Sequence, residues 1–265
     1  MKLRVDGHEA FAATGGRPFD PVKPAIIFIH GAGLDHTCWQ LQSRWFAWHG
    51  WSVLACDLPA HGQSRGAPLE SIAAMSAWVE SAMREAGVGQ AALVGHSMGA
   101  VIALETAARV PNRVTGLGLI GVSSSMPVHP ALLTAAKEQP DKAYDMMTGW
   151  CFASHAKLGS NSVPGIWMTG GARALLGTGR QNALAADLGA CNAWTTAKES
   201  AAKVKCPTLL VLGREDVMTP AKKGQELAAL IPGAQAVTID GSGHMLMQEA
   251  PDATLDALIA HFGAR

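Results

Sequence analysis

Apolar residues in this chain fall into short, nearly unbroken runs separated by longer stretches of helical period. The runs "AIIFIH" (25–30), "WSVLACD" (51–57), "AALVGHS" (91–97), "VTGLGLIGV" (114–122), "PTLLVLG" (207–213) and "AQAVTID" (234–240) show little polar alternation, the pattern of strands buried on both faces. Ala-rich amphipathic stretches separate most of them and read as helices. Parallel strands need crossovers of a dozen or more residues, and the spacing supplies them, so the pattern predicts a mainly parallel, doubly wound α/β sheet with helices on both faces. At the start, "KLRVDGHEAFAAT" sets an Asp-Gly turn between two extended pieces, which predicts an antiparallel hairpin at one sheet edge.

The alternation stops after Val122 and resumes near Cys206. Residues 123–205 contain helical patterns at 130–150 and 172–190 and no convincing strand. They are read as a helical insertion, a cap or lid, within a core made of 1–122 and 206–265. The insertion carries Met126, Met146, Met147, Trp150, Phe152, Trp167, Met168 and Trp194. Such side chains either form its own core or line a pocket, since Met and Trp adapt to apolar ligands. On the second reading Met126, Met147, Trp150 and Trp167, with Met245 from the C-terminal part, are the expected substrate contacts.

Composition narrows the function. The chain has 265 residues, with 21 basic and 21 acidic side chains and no formal net charge, so no global field attracts nucleic acid or an anionic membrane. No apolar run approaches the ~20 residues of a membrane span, and the first residues lack the apolar region of a secretory signal. A soluble, cytoplasmic protein is expected, as a monomer or a homodimer. Five cysteines without metal-ligand spacing fit buried thiols in a reducing compartment. "MTGGARALLGTG" lacks the Lys-Ser/Thr ending of a phosphate-binding loop and follows no strand. No metal or organic cofactor is called for.

The chemistry lies in "LVGHSMGA" (93–100). Gly95-His96-Ser97-Met98-Gly99 fits G-x-S-x-G, in which a strand turns sharply into a helix and exposes a strained serine. A serine hydroxyl attacks well only when a base takes its proton, and two later segments supply the means. "LLVLGREDVMTP" places Asp216 just past one strand, and "VTIDGSGHMLMQEAP" places His244 in the loop after the next. The ends of parallel strands share one sheet edge, so residues 97, 216 and 244 can converge, with the carboxylate holding the imidazole in the tautomer that accepts a proton from serine. Asp240 is nearer to His244 in sequence but reads as a turn aspartate before Gly241. "HGAG" (30–33) follows the first long strand, and the Ala32 and Met98 backbone amides are the expected oxyanion donors. Asp57 and His61 of "CDLPAHGQS" are read as structural, and Arg173 and Arg180 as solvated helix residues.

Together "HGAG", "DLPAHGQS", "GHSMGA", "GREDVMTP" and "GSGHM" resemble the α/β-hydrolase superfamily over nearly the whole chain. The resemblance implies an eight-stranded sheet with a helical cap inserted after the sixth strand. It also implies Ser97 as nucleophile, Asp216 as acid and His244 as base. A serine at the elbow departs from the epoxide hydrolase and haloalkane dehalogenase branches, which use aspartate. Met245 replaces the Trp that follows the histidine in carbon-carbon bond hydrolases of aromatic degradation. A carboxylesterase acting on small, mainly uncharged apolar esters is therefore the leading expectation. Such a carbon-carbon hydrolase, a lactonase, and a ligand receptor on the same fold are the alternatives.

Overall fold

The computed structural model describes residues 1–158, 167–180 and 182–264. Its eight strands are β1 (Lys2–Val5), β2 (His8–Ala13), β3 (Ala25–Ile29), β4 (Ser52–Cys56), β5 (Ala91–His96), β6 (Val114–Ile120), β7 (Thr208–Gly213) and β8 (Gln235–Ile239). They form one sheet in the order β1-β2-β4-β3-β5-β6-β7-β8. The first two strands are the antiparallel hairpin, β2 also runs antiparallel to β4, and all other neighbours are parallel. The doubly wound, mainly parallel sheet expected from the apolar runs, with the eight strands that the family resemblance implies, is therefore what the chain forms.

Around the sheet lie α1 (Gln40–Trp48), α2 (Ile72–Glu85), α3 (Met98–Arg109), α10 (Ala221–Leu230) and α12 (Pro251–Phe262), with a short α11 (Leu246–Glu249) before the last. Between β6 and β7 come α4 (Pro130–Glu138), α5 (Pro140–Cys151), α6 (Ser154–Lys157), α7 (Met168–Gly177), α8 (Ala183–Ala193) and α9 (Ala197–Ala201). Every residue of β3, β4, β5 and β7 is buried, because helices cover both faces at the centre of the sheet. One run departs from the expectation. In β8, Gln235, Ala236 and Val237 are exposed, because this strand is the sheet's edge and has a neighbour on one side only.

The inserted helices are tied to the core by polar contacts as well as by packing. Glu105 on α3 accepts hydrogen bonds at Oε1 from Trp194 Nε1 and Ser200 Oγ, each at 2.7 Å, and from the Thr196 hydroxyl. Among the described residues no helix is long and apolar enough to cross a membrane.

Strand order also fixes where the sheet opens a crevice. From β3 the chain winds one way to β4, then crosses to β5 and continues the other way through β6, β7 and β8. The loops after β3 and β5 therefore diverge at their carboxyl ends and leave a crevice there, where open α/β sheets bind ligands.

Candidate active site

Ser97 stands where β5 turns into α3. Its backbone has φ 53° and ψ −116°, in the left-handed range that L side chains avoid. The fold holds it there. Ser97 N–H donates to Ile120 O at 2.9 Å, and the glycines on either side let backbone close in. A Cβ on Gly95 would lie 2.1 Å from Gly99 O, and one on Gly99 would lie 2.2 Å from Ile29 O. The G-x-S-x-G spacing is thus a packing requirement of the bend. Met98 is the first residue of α3, so its N–H has no acceptor one turn earlier in the helix and lies at the positive end of the helix dipole.

Asp216 and His244 sit on the turns that follow β7 and β8. His244 Nδ1–H donates to Asp216 Oδ2 at 2.8 Å, and both residues are buried. Thr219 Oγ1 donates to the same oxygen at 2.7 Å and lies 3.2 Å from His244 Nδ1. Asp216 Oδ1 accepts the Met218 and Thr219 amides, each at 2.8 Å. Burial pushes the Asp216 carboxyl up, but the His244 charge, its hydrogen bond and the Thr219 bonds outweigh that and hold it below the usual carboxylate value. Asp240, the nearer acid in sequence, is exposed and pairs with Arg214.

Ser97, His244, Ala32, Met126, Met147 and Met245 share one cavity of about 60 Å³. Its wall is unusually rich in sulfur, since Cys151, Cys191 and Met218 also contribute. A wider space of about 340 Å³ adjoins it, with Pro127, Val128, Leu188 and Met218 common to both. Trp150 lines this second space rather than the first, its ring edge-on to His129 at 5.9 Å. The structure corrects the expectation for Trp167, which is 71% exposed at the start of α7 with its ring against Gly170. Composition cannot say which way a ring faces. Arg173 pairs with Asp145 at 2.5 Å and Asp141 at 3.2 Å, both on α5, and among the described residues no lysine or arginine lines either cavity.

Several neighbours were not legible as site residues. His96, inside the elbow motif, donates from Nε2 to His244 O at 2.9 Å. Burial and then the neighbouring His244 charge push its pKa down to about 3, so the ring is neutral. Glu249 accepts three amides, from Ala153 at 2.8 Å, Gly243 at 3.1 Å and Met245 at 3.0 Å. It thereby ties the histidine loop to the chain after α5, a contact doubled by His244 N–H to Cys151 O at 2.8 Å. Its only trace in the sequence is a Glu five residues past the histidine. Among the described residues, one group with metal-ligand chemistry lies close together: Asp35, His36 and Asp57. Its carboxylates are already engaged, Asp57 by His36 and the Gln63 amide and Asp35 by Thr37, so the group reads as an internal hydrogen-bonded cluster.

Known proteins place this architecture. Pimeloyl-[acyl-carrier protein] methyl ester esterase of Aromatoleum aromaticum is 27% identical over 246 residues, covering 87% of this chain and 94% of its own. The (E)-2-((N-methylformamido)methylene)succinate hydrolase of Acinetobacter baylyi is 24% identical over 242 residues, covering 89% of each. Among solved structures, the enol-lactonase of Burkholderia xenovorans LB400 superposes with a TM-score of 0.88 at 21% identity, covering 98% of this chain and 99% of its own. The sequence profile of the alpha/beta hydrolase family matches residues 26–257, and the chain belongs to that family.

Proposed function

We propose that this hydrolase cleaves carboxylic esters of small, mainly uncharged apolar substrates through an acyl-enzyme on Ser97. The observation that carries the reading is the strained serine at the β5–α3 turn, set in one cavity with a histidine whose Nδ1–H is held by a buried aspartate. With the proton fixed on Nδ1, the Nε2 lone pair is free to take the Ser97 proton as the hydroxyl attacks the ester carbonyl. Asp216 then faces an imidazolium, and the Ala32 and Met98 amides receive the oxyanion. His244 returns the proton to the departing alkoxide. Water next attacks the acyl-enzyme with His244 again as base, which releases the acid and restores the serine.

The wall supports the substrate class. Thioethers, thiols and aliphatic side chains surround the reacting groups without a described cation, and a buried carboxylate left unpaired there is disfavoured by several kcal/mol. Helices α4–α9 act on this reading as a cap, residues 123–205, that closes the cavity over the sheet edge, and the ester-cleaving relative supports the bond type. Side-by-side kinetics on p-nitrophenyl butyrate and a 2-hydroxy-6-oxo-dienoate test it. A higher kcat/KM for the butyrate is expected; a higher value for the dienoate overturns the ester reading.

A further inference from the structure

A second buried acid–histidine pair lies outside the site just described. Asp187 on α8 is fully buried, as is His61 in the loop after β4, and His61 Nε2 lies 2.9 Å from Asp187 Oδ2. The other ring nitrogen, Nδ1, lies 2.9 Å from Pro59 O. Both nitrogens therefore face acceptors, and only the doubly protonated ring donates to both. The adjacent ring differs. His30, 4.8 Å away between centroids, accepts the Leu58 N–H at Nε2 (3.1 Å) and donates from Nδ1 to Gly31 O (2.8 Å), so it is neutral. The charges facing His61 are those of Asp187 and, farther off, Asp57. Burial pushes the His61 pKa down, but these carboxylates and the hydrogen bonds outweigh it and raise it. For His30 burial and the His61 charge act together and bring it to about 4.

Asp187 Oδ2 also accepts the Gly33 N–H at 2.9 Å. Gly33 has φ +68°, and a Cβ there would lie 2.7 Å from Leu176 and 3.1 Å from Leu184, so the loop backbone rests directly on α7 and α8. The preceding residue is Ala32, which lines the cavity with Ser97. One carboxylate oxygen thus fixes the Ala32–Gly33 peptide and pairs with a buried cation, while Oδ1 is buried with no hydrogen-bond partner among the described residues. An acid buried with half its acceptors idle is a poor device for stability alone.

We propose that the Asp187–His61 pair is a buried ionic latch through which α8 positions the oxyanion loop, which makes Asp187 a positioning residue for the reaction. The inference rests on the ester-hydrolase reading above. It follows that seating the inserted helices and aligning the Ala32 amide are one event: an enzyme whose α8 has lifted has also lost its oxyanion geometry.

Asp187→Ala removes both acceptors, and Asp187→Asn keeps the shape but removes the charge. Each is compared with the wild type for kcat and KM on p-nitrophenyl butyrate, for affinity toward an alkyl boronic acid that places an oxygen in the oxyanion site, and for amide hydrogen exchange at Gly33. Misplacing a reacting geometry by about 1 Å costs on the order of a hundredfold. Asp187→Ala is therefore expected to lower kcat and boronate affinity by about ten- to a hundredfold, with KM within about threefold and faster exchange at Gly33. Asp187→Asn is expected to fall between it and the wild type, and decides the matter if the alanine variant does not fold. A folded variant that keeps kcat and boronate affinity within twofold, or that changes KM alone, overturns the latch. A wild type that turns over no ester and is not labelled by a fluorophosphonate overturns the underlying reading instead.

Discussion

Replacing Asp216 with asparagine isolates the role of its charge, because the side chain keeps its size while one oxygen becomes an amino group. The structure dictates which oxygen. Oδ1 accepts two backbone N–H groups, from Met218 and Thr219, so an amino group there would face two donors. The buried Thr219 donor left orphaned costs about 1–3 kcal/mol and the part-buried Met218 donor adds to it, which disfavours that orientation by at least that much. The amino group must instead take the Oδ2 position, where it faces His244 Nδ1. It then donates to Nδ1, the imidazole proton moves to Nε2, and the ring no longer accepts the Ser97 proton. A triad locked in this tautomer loses about 10⁴-fold in kcat, or roughly 5.5 kcal/mol at ~1.36 kcal/mol per tenfold. The assay is kcat on p-nitrophenyl butyrate, with circular dichroism to show that the fold persists. Asp240→Asn, in an exposed pair with Arg214, is expected to stay within twofold. A folded Asp216→Asn variant within tenfold of wild type, or a larger loss for Asp240→Asn, overturns the role assigned to the Asp216 charge.

The strain at Ser97 predicts a trade of activity for stability. Ser97→Gly relieves a conformation at φ 53°, of a kind that costs on the order of 1–3 kcal/mol. After the added freedom of glycine in the unfolded chain, this variant is expected to gain about 1 kcal/mol in urea melts while losing activity; a lower midpoint contradicts the strain. Stability should also depend on pH in two opposite ways. The lowered Asp216 carboxyl stabilises the fold above about pH 4, its unfolded value, and that contribution is lost as pH falls through the folded value. The raised His61 imidazolium stabilises fully below about pH 6.5 and is lost as pH rises through its folded value. Tm is expected to peak between these limbs, and Asp187→Asn to flatten the alkaline one; an unchanged alkaline limb contradicts the ion pair.

Much of the fold was legible because buried parallel strands leave continuous apolar runs. All six predicted runs contain a strand, and the Asp-Gly turn marks the hairpin. Only the edge position of β8 escaped, since a sequence run does not reveal how many neighbours a strand has. The convergence of Ser97 and His244 on one cavity, with Asp216 bonded to the histidine, was legible for a different reason. Each lies just past a strand end, and a parallel sheet gathers such positions on one edge. The insertion was harder to read. Its Met and Trp content left open whether those side chains form its own core or line a pocket, and Met126 and Met147 reach the cavity while Trp150 stops at the adjoining space and Trp167 faces solvent. Asp187 is an ordinary helix acid in the sequence, and its partner His61 lies 126 positions away. No local pattern connects the two, because the contact exists only once α8 is seated on the loops after β3 and β4.

The most direct test of the central claim is the site of covalent labelling by a fluorophosphonate, mapped by peptide mass spectrometry on the native protein. About one label per chain is expected, carried by Ser97, formed at the rate at which p-nitrophenyl butyrate activity disappears and absent from a folded Ser97→Ala variant. Label on another residue, or a Ser97→Ala variant that keeps more than about a tenth of the wild-type activity instead of the ~10⁶-fold loss seen when a triad serine is removed, would contradict it.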